Sequence, residues 1–206
     1  AFGSDGKLVN AITQKNVNLT KTYSALMPLN GGVYSFIGWT GLDASFDLAQ
    51  LKLKQTTKAD VMLRLKQDSQ LLKLLQNKRI FQGESPLVHL PDAKTHGSIY
   101  KQTSINLREK TNRIKVDVEL HESLKGFANI EDFEVFISSD NGILNIDGTV
   151  SLNGIPIQYP YQKLLMGDQF TANFTLLSLK TGYTNRILLK NIKSGEVIYE
   201  GDLIAN

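Results

Sequence analysis

A chain of 206 residues that is 41% apolar and 21% charged can bury a core and lies outside the composition of a disordered segment. Lys and Arg exceed Asp and Glu by only three (23 against 20) and the charges are scattered, a weak field that excludes a nucleic-acid binder. With no cysteine, disulfides, thiolate nucleophiles and Cys-ligated metals are excluded within this chain. Nor does any apolar run approach the roughly 18 residues of a spanning helix.

In chain order, Phe2-Gly3-Ser4-Asp5-Gly6-Lys7-Leu8-Val9 reads as a strand end, an Asp-Gly turn and the start of a second strand. Ala1-Phe2-Gly3 is therefore the tail of a strand, and residues preceding Ala1 are expected to pair with the N-terminal sandwich. Val17 to Leu26 forms another extended run, with Val17, Leu19, Lys21 and Tyr23 alternating against Asn18, Thr20 and Thr22. Pro28-Leu29-Asn30-Gly31-Gly32 then leads into Val33 to Leu42, rich in aromatic and β-branched residues. Period-2 geometry puts Tyr34, Phe36 and Gly38 on one face and Val33, Ser35, Ile37 and Trp39 on the other. Both faces are apolar, so the run is a central strand, and Trp39, the only tryptophan, is expected to be buried in it.

Phe46 to Leu53 and Asp60 to Lys66 read as further strands, with Val61, Leu63 and Leu65 inward and Met62, Arg64 and Lys66 outward. At Asp68 the period changes, and Asp68 to Leu75 predicts a short amphipathic helix with an Asp or Ser cap. Arg79 to Gly83 returns to extended chain. Pro86, Pro91 and the loop-forming run 91–98 mark a domain junction. Beyond it, strands are expected at Ile99 to Leu107, Arg113 to Leu120, Phe133 to Ile137, Ile143 to Leu152, Ile155 to Tyr161, Phe170 to Leu179, Asn185 to Ile192 and Val197 to Ile204. Lys193-Ser194-Gly195 joins the last two. The fold class is mainly all-β, as two tandem Greek-key β-sandwiches: residues 1–92, with one short helix, and residues 97–206.

The search for chemistry finds no nucleophile constellation, since Gly83-Glu84-Ser85-Pro86 lacks the spacing and the following helix of a nucleophile elbow. His89, His96 and His121 lack zinc-site spacing. The oxygen-rich stretch Asp140 to Gly148 departs from an EF-hand and is explained by two Asx-Gly turns. No glycine-rich phosphate loop is present, so the residues call for no cofactor, no metal and no catalytic group. Binding or assembly is the function class that remains. A surface carbohydrate-binding module is the alternative, with Trp39, Tyr159, Tyr161 and Tyr183 as exposed stacking rings.

Gly32-Val33-Tyr34-Ser35-Phe36-Ile37-Gly38-Trp39-Thr40-Gly41-Leu42 resembles the G-x-Y-x-F-x-x-W-x-G-L strand of the Bacteroidales fimbrial anchor subunits, the fimbrillin-associated family. Phe2 to Val9, Arg79 to Gly83, Lys110 to Val116 and the closing Phe174 to Leu179, Arg186 to Leu189 and Ser194 to Val197 are similar to further segments of that family, in the same order. The resemblance implies two transthyretin-like sandwiches, no enzymatic activity, and a place at the base of a fimbrium on the bacterial cell surface. The partners it implies are other fimbrial subunits joined by strand addition, and the outer membrane through a lipidated cysteine upstream of this chain.

Overall fold

A computed structural model describes residues 1–97 and 99–204 of the chain. The first half contains β1 (Phe2–Gly3), β2 (Gly32–Ser35), β3 (Ile37–Thr40), β4 (Phe46–Leu48), β5 (Met62–Leu65), α1 (Ser69–Leu72), β6 (Phe81–Glu84) and β7 (Val88–Leu90). The expected opening hairpin forms: Gly6, at φ 72°, turns the chain, and the Gly3 N–H donates to the Lys7 carbonyl at 2.9 Å.

Residues 10–31 form no strand, which corrects the extended run placed at Val17 to Leu26. Alternation alone does not make a strand. Among the described residues no neighbouring strand takes up the backbone groups of this segment, and Ile12, Val17, Leu19, Tyr23 and Leu26 stay exposed.

The central run is also corrected: it is two strands in two sheets. β2 pairs with β1 and β7, whereas β3 pairs with β6. The corner is Phe36, held from both sides by one residue. Its N–H donates to Ser85 Oγ at 3.0 Å, and its carbonyl accepts from the Ser85 N–H at 2.8 Å. Strands that change sheet at such a bend are how stacked sheets share a chain.

β4 is shorter than the predicted Phe46 to Leu53, because the chain turns at Lys52. Thr56 Oγ1 accepts from the Lys52 N–H at 2.8 Å, and Lys54 sits at φ 61°. β5 keeps its predicted alternation, with Leu63 and Leu65 buried and Arg64 exposed. The predicted helix forms at Ser69–Leu72 and continues as a 3-10 turn over Lys73–Leu75. Asp68 caps it, accepting from the N–H groups of Gln70 and Leu71 at 2.8 and 3.1 Å. Leu72 and Leu75 go to the core.

Beyond the 91–98 segment the elements are β8 (Arg108–Glu109), β9 (Thr111–Glu119), β10 (Phe133–Ser139), β11 (Ile143–Asn145), β12 (Ile157–Tyr159), β13 (Tyr161–Met166), β14 (Gln169–Leu177), β15 (Asn185–Asn191) and β16 (Val197–Asp202). A four-stranded sheet, β12-β10-β15-β16, and a three-stranded sheet, β13-β14-β9, enclose Val135, Ile137, Ile157, Phe170, Phe174 and Leu176. All their pairings are antiparallel.

Three expectations in this half are corrected. No strand forms over the described part of Ile99 to Leu107; only Arg108–Glu109 pairs, with β6. Ile143 to Leu152 is a tight hairpin, since Gly148, at φ 77°, turns the chain back and Ser151 N–H donates to the Ile143 carbonyl at 2.9 Å. Ile155 to Tyr161 is split between two sheets at Pro160, which has no N–H to continue the ladder.

The 91–98 segment holds a short helix, α2 (Ala93–His96), capped by Asp92, where a loop was expected; Ser98 lies outside the described residues. The two halves meet closely across it. β11 pairs with β5, so one small sheet, β11-β5-β4, takes strands from both sides of the segment. One core also joins them, with Phe46, Leu65, Leu75 and Ile80 packed in the same cluster as Leu144, Val150 and Phe174. Trypsin is therefore expected to cut first after Lys94, which is exposed. The two fragments should co-elute on size exclusion and separate only in denaturant; fragments that part under native conditions would refute the shared core.

Candidate functional site

β15 and β16 form the closing hairpin, and Asn191 sets its turn. Asn191 Oδ1 accepts from the N–H groups of Lys193 and Ser194 at 3.0 Å each. Gly195, at φ 80°, donates back to the Asn191 carbonyl at 2.8 Å. The predicted Lys193-Ser194-Gly195 connection is thus the one observed.

β16 is the last strand of the four-stranded sheet, with β15 on one side and no strand on the other among the described residues. Such an edge offers unpaired N–H and C=O groups to an incoming strand. Its side chains favour the same event: Val197, Ile198 and Tyr199 are 50%, 49% and 55% exposed. Successive residues of a strand point to opposite faces, so apolar groups stand out on both sides of the edge. At the far end Arg186 Nη1 meets Glu200 Oε1 at 2.8 Å. The arrangement is an open apolar edge bounded by a charge pair, able to accept a strand through main-chain hydrogen bonds and side-chain contacts.

Of the other edges of the sandwich, β9 is long but alternates charged residues outward, and two others are shorter or tied down. β12, at the opposite end of the same sheet, has three residues. β13 exposes Leu164, Leu165 and Met166, but Lys163 ties its middle to the facing sheet. Its Nζ donates to the Phe133 carbonyl at 2.9 Å and lies 4.5 Å from the Phe170 ring centroid.

The four aromatic residues put forward as stacking rings lie on different elements: β3, β12, β13 and the chain before β15. Tyr159 is corrected outright, because it is a core residue, 2% exposed. Its hydroxyl donates to Asn141 Oδ1 at 2.6 Å and accepts from the Leu177 N–H at 3.3 Å, and burial pushes its pKa up. Tyr161 is half-buried and stacks on Phe174 with centroids 5.1 Å apart. Burial, then the Glu134 charge, pushes its phenol up to about 12. Tyr183 is half-buried beneath Lys180, whose Nζ lies 5.3 Å from the ring centroid. Trp39, expected to be buried, is only half-buried; its indole N–H donates to the Ile146 carbonyl at 3.0 Å.

No group of three His, Asp or Glu side chains among the described residues could hold a metal ion. In the oxygen-rich stretch Asp147 Oδ1 accepts from the Thr149 N–H and hydroxyl at 2.9 and 2.7 Å, while Asn141 is buried in the sandwich. The side-chain oxygens of Asp147 and Asn141 are thus engaged in a turn and a core contact. The β16 edge was not singled out from the sequence, because an apolar run without alternation such as Val197-Ile198-Tyr199 reads as a strand covered on both faces.

The family of fimbrillin-A associated anchor proteins Mfa1 and Mfa2 matches residues 1–205. The minor fimbrium anchoring subunit Mfa2 of Porphyromonas gingivalis is 31% identical over 206 residues, covering 99% of this chain. The chain spans 61% of the length of that relative. A solved structure of the fimbrial anchor protein Mfa2 from Porphyromonas gingivalis superposes with a TM-score of 0.82 at 30% identity, covering 98% of this chain and 72% of that one. A crystal structure from Bacteroides thetaiotaomicron shares the fold at 20% identity, with a TM-score of 0.77 over 98% of this chain and 70% of that one. By sequence over nearly its whole length, and by fold, this chain belongs to the family of fimbrillin-A associated anchor proteins.

Proposed function

We propose that the protein is a structural subunit that anchors a fimbrium at the bacterial cell surface and joins its neighbours by strand addition along β16. The observation that carries this reading is the edge, with Val197, Ile198 and Tyr199 all about half exposed on a strand that has one pairing partner among the described residues. Membership of the anchor family supports the fimbrial role. In this reading the protein has no catalytic task and sits at the outer membrane, at the base of the fimbrium. Residues 1–92 and 97–206 act as two transthyretin-like units that share one core.

The experiment is co-purification of the full protein with a fimbrillin shaft subunit from the same gene cluster, comparing wild type with the double variant Ile198→Lys, Tyr199→Lys. Lysines on an edge strand block edge-to-edge pairing by charge while leaving the pairing with β15 in place. Binding is expected to weaken about tenfold or more, with the melting temperature held within a few degrees. Undiminished binding by the folded double variant would overturn the β16 assignment.

A further inference from the structure

The outward face of the β13-β14-β9 sheet carries an open cavity of about 350 Å³ that the strand-addition reading does not use. Three strands supply its floor in register. Gln162 stands opposite Asn173, and Asn173 opposite Lys115; the next outward pair along β14 and β9 is Thr175 and Arg113. A wall is supplied from the other half of the chain by Gln76 and Asn77, just after the α1 helical turn. That wall is fixed to the floor, because the Asn77 N–H donates to Thr175 Oγ1 at 3.0 Å. Asn77 adopts φ 59°, a left-handed conformation that asparagine tolerates and that turns the chain sharply there.

The lining is unusual in chemistry. It holds four side-chain amides, a guanidinium, an ammonium and a hydroxyl, and no carboxylate. A planar amide offers a donor and an acceptor together, which matches a sugar hydroxyl that must both give and take a hydrogen bond. Arg113 adds a fork that fits a carboxylate. Its present partner is Glu109, with Nη2 at 3.3 Å from Oε1. Glu109 is already held more closely by Arg79, at 3.0 and 2.7 Å, and by Thr111 Oγ1 at 2.8 Å. Arg113 can therefore turn to a ligand without stranding that carboxylate.

We propose that this cavity binds a carboxylate-bearing sugar, a hexuronate unit of an acidic polysaccharide. Arg113 takes the carboxylate, with the Lys115 ammonium, paired to Asp117 at 2.9 Å, beside it, and Gln162, Asn173 and the Gln76–Asn77 wall take the ring hydroxyls. This inference is independent of the β16 reading, since the cavity lies on the other sheet of the sandwich.

The test is calorimetry with tri-galacturonate, set against uncharged malto-triose and a glutamate-rich peptide. Tri-galacturonate is expected to bind with a Kd of about 1 mM or tighter, and Arg113→Met and Asn173→Ala should each weaken it about tenfold. Both positions are solvent-facing on a sheet, and equal melting curves will show that the variants are folded. In the unmutated protein, the side-chain amide NMR signals of Gln162 and Asn173 should shift on titration, which keeps the test valid if a variant unfolds. Absence of binding, equal binding of malto-triose or the peptide, or unshifted amide signals would each overturn the proposal.

Discussion

Asn141→Ala is expected to lower the free energy of unfolding by about 3–5 kcal/mol, a large part of the roughly 5–15 kcal/mol that holds a domain folded. Asn141 is fully buried, and its side chain ties together two strands that belong to opposite sheets. Nδ2 donates to the carbonyls of Leu177 and Ser178 at 3.0 and 3.2 Å, and Oδ1 accepts from the Tyr159 hydroxyl at 2.6 Å. The Leu177 N–H completes the circuit by donating to that hydroxyl. Alanine would strand a buried phenol, the buried Leu177 carbonyl and the half-buried Ser178 carbonyl, the buried groups each costing about 1–3 kcal/mol. Tyr159→Phe removes one partner of the set and should cost less, and in a double-mutant cycle the two changes should be strongly non-additive. Urea titration of the three variants checks this. An Asn141→Ala protein within about 1 kcal/mol of wild type would refute the clamp.

Leu144→Ala should cost about 2–5 kcal/mol and should weaken both halves of the chain together. Leu144 is fully buried on β11, opposite Leu63 of β5, so it lies where the second half enters the sheet of the first. A cavity there removes packing from Leu63 and its neighbours as well as from the sandwich. Trp39 reports on the same junction, since its N–H donates to Ile146, two residues past Leu144. Trp39 fluorescence and far-UV circular dichroism should therefore lose signal at one denaturant midpoint, shifted equally in the variant. Separate midpoints would mean that the halves unfold independently and that the shared core contributes little.

Several elements were legible in the sequence because their signal is local. The Asp5-Gly6 turn, the Asp68 cap with Leu72 and Leu75 behind it, and the Asn191 to Gly195 hairpin are each fixed within a few residues. β9 was legible because charged residues alternate with Ile114, Val116 and Val118 over its length, and β10 for its aromatic and β-branched run Phe133-Glu134-Val135-Phe136-Ile137. Family membership was legible too: the motifs around Tyr34, Trp39 and Arg186 carried the resemblance, and the family matches residues 1–205.

What failed were inferences that hung on which partner, if any, a segment would meet. Val17 to Leu26 alternates as a strand does, less cleanly than β9, yet β9 finds β14 and the former finds no strand among the described residues. Phe36 looks like the middle of a strand until Ser85, distant in sequence, binds its N–H and its carbonyl. Asn141 looks like a turn residue, and only the approach of Leu177 and Tyr159 makes it a buried clamp. The cavity beside Arg113 and Asn173 joins residues from three strands and a helical turn that no local pattern connects. The sequence by itself determined the periods, caps and turns, because these depend on neighbours along the chain. The tertiary structure decided which runs became strands, which edge stayed open and which side chains met, because a strand exists only where another chain segment takes up its backbone hydrogen bonds.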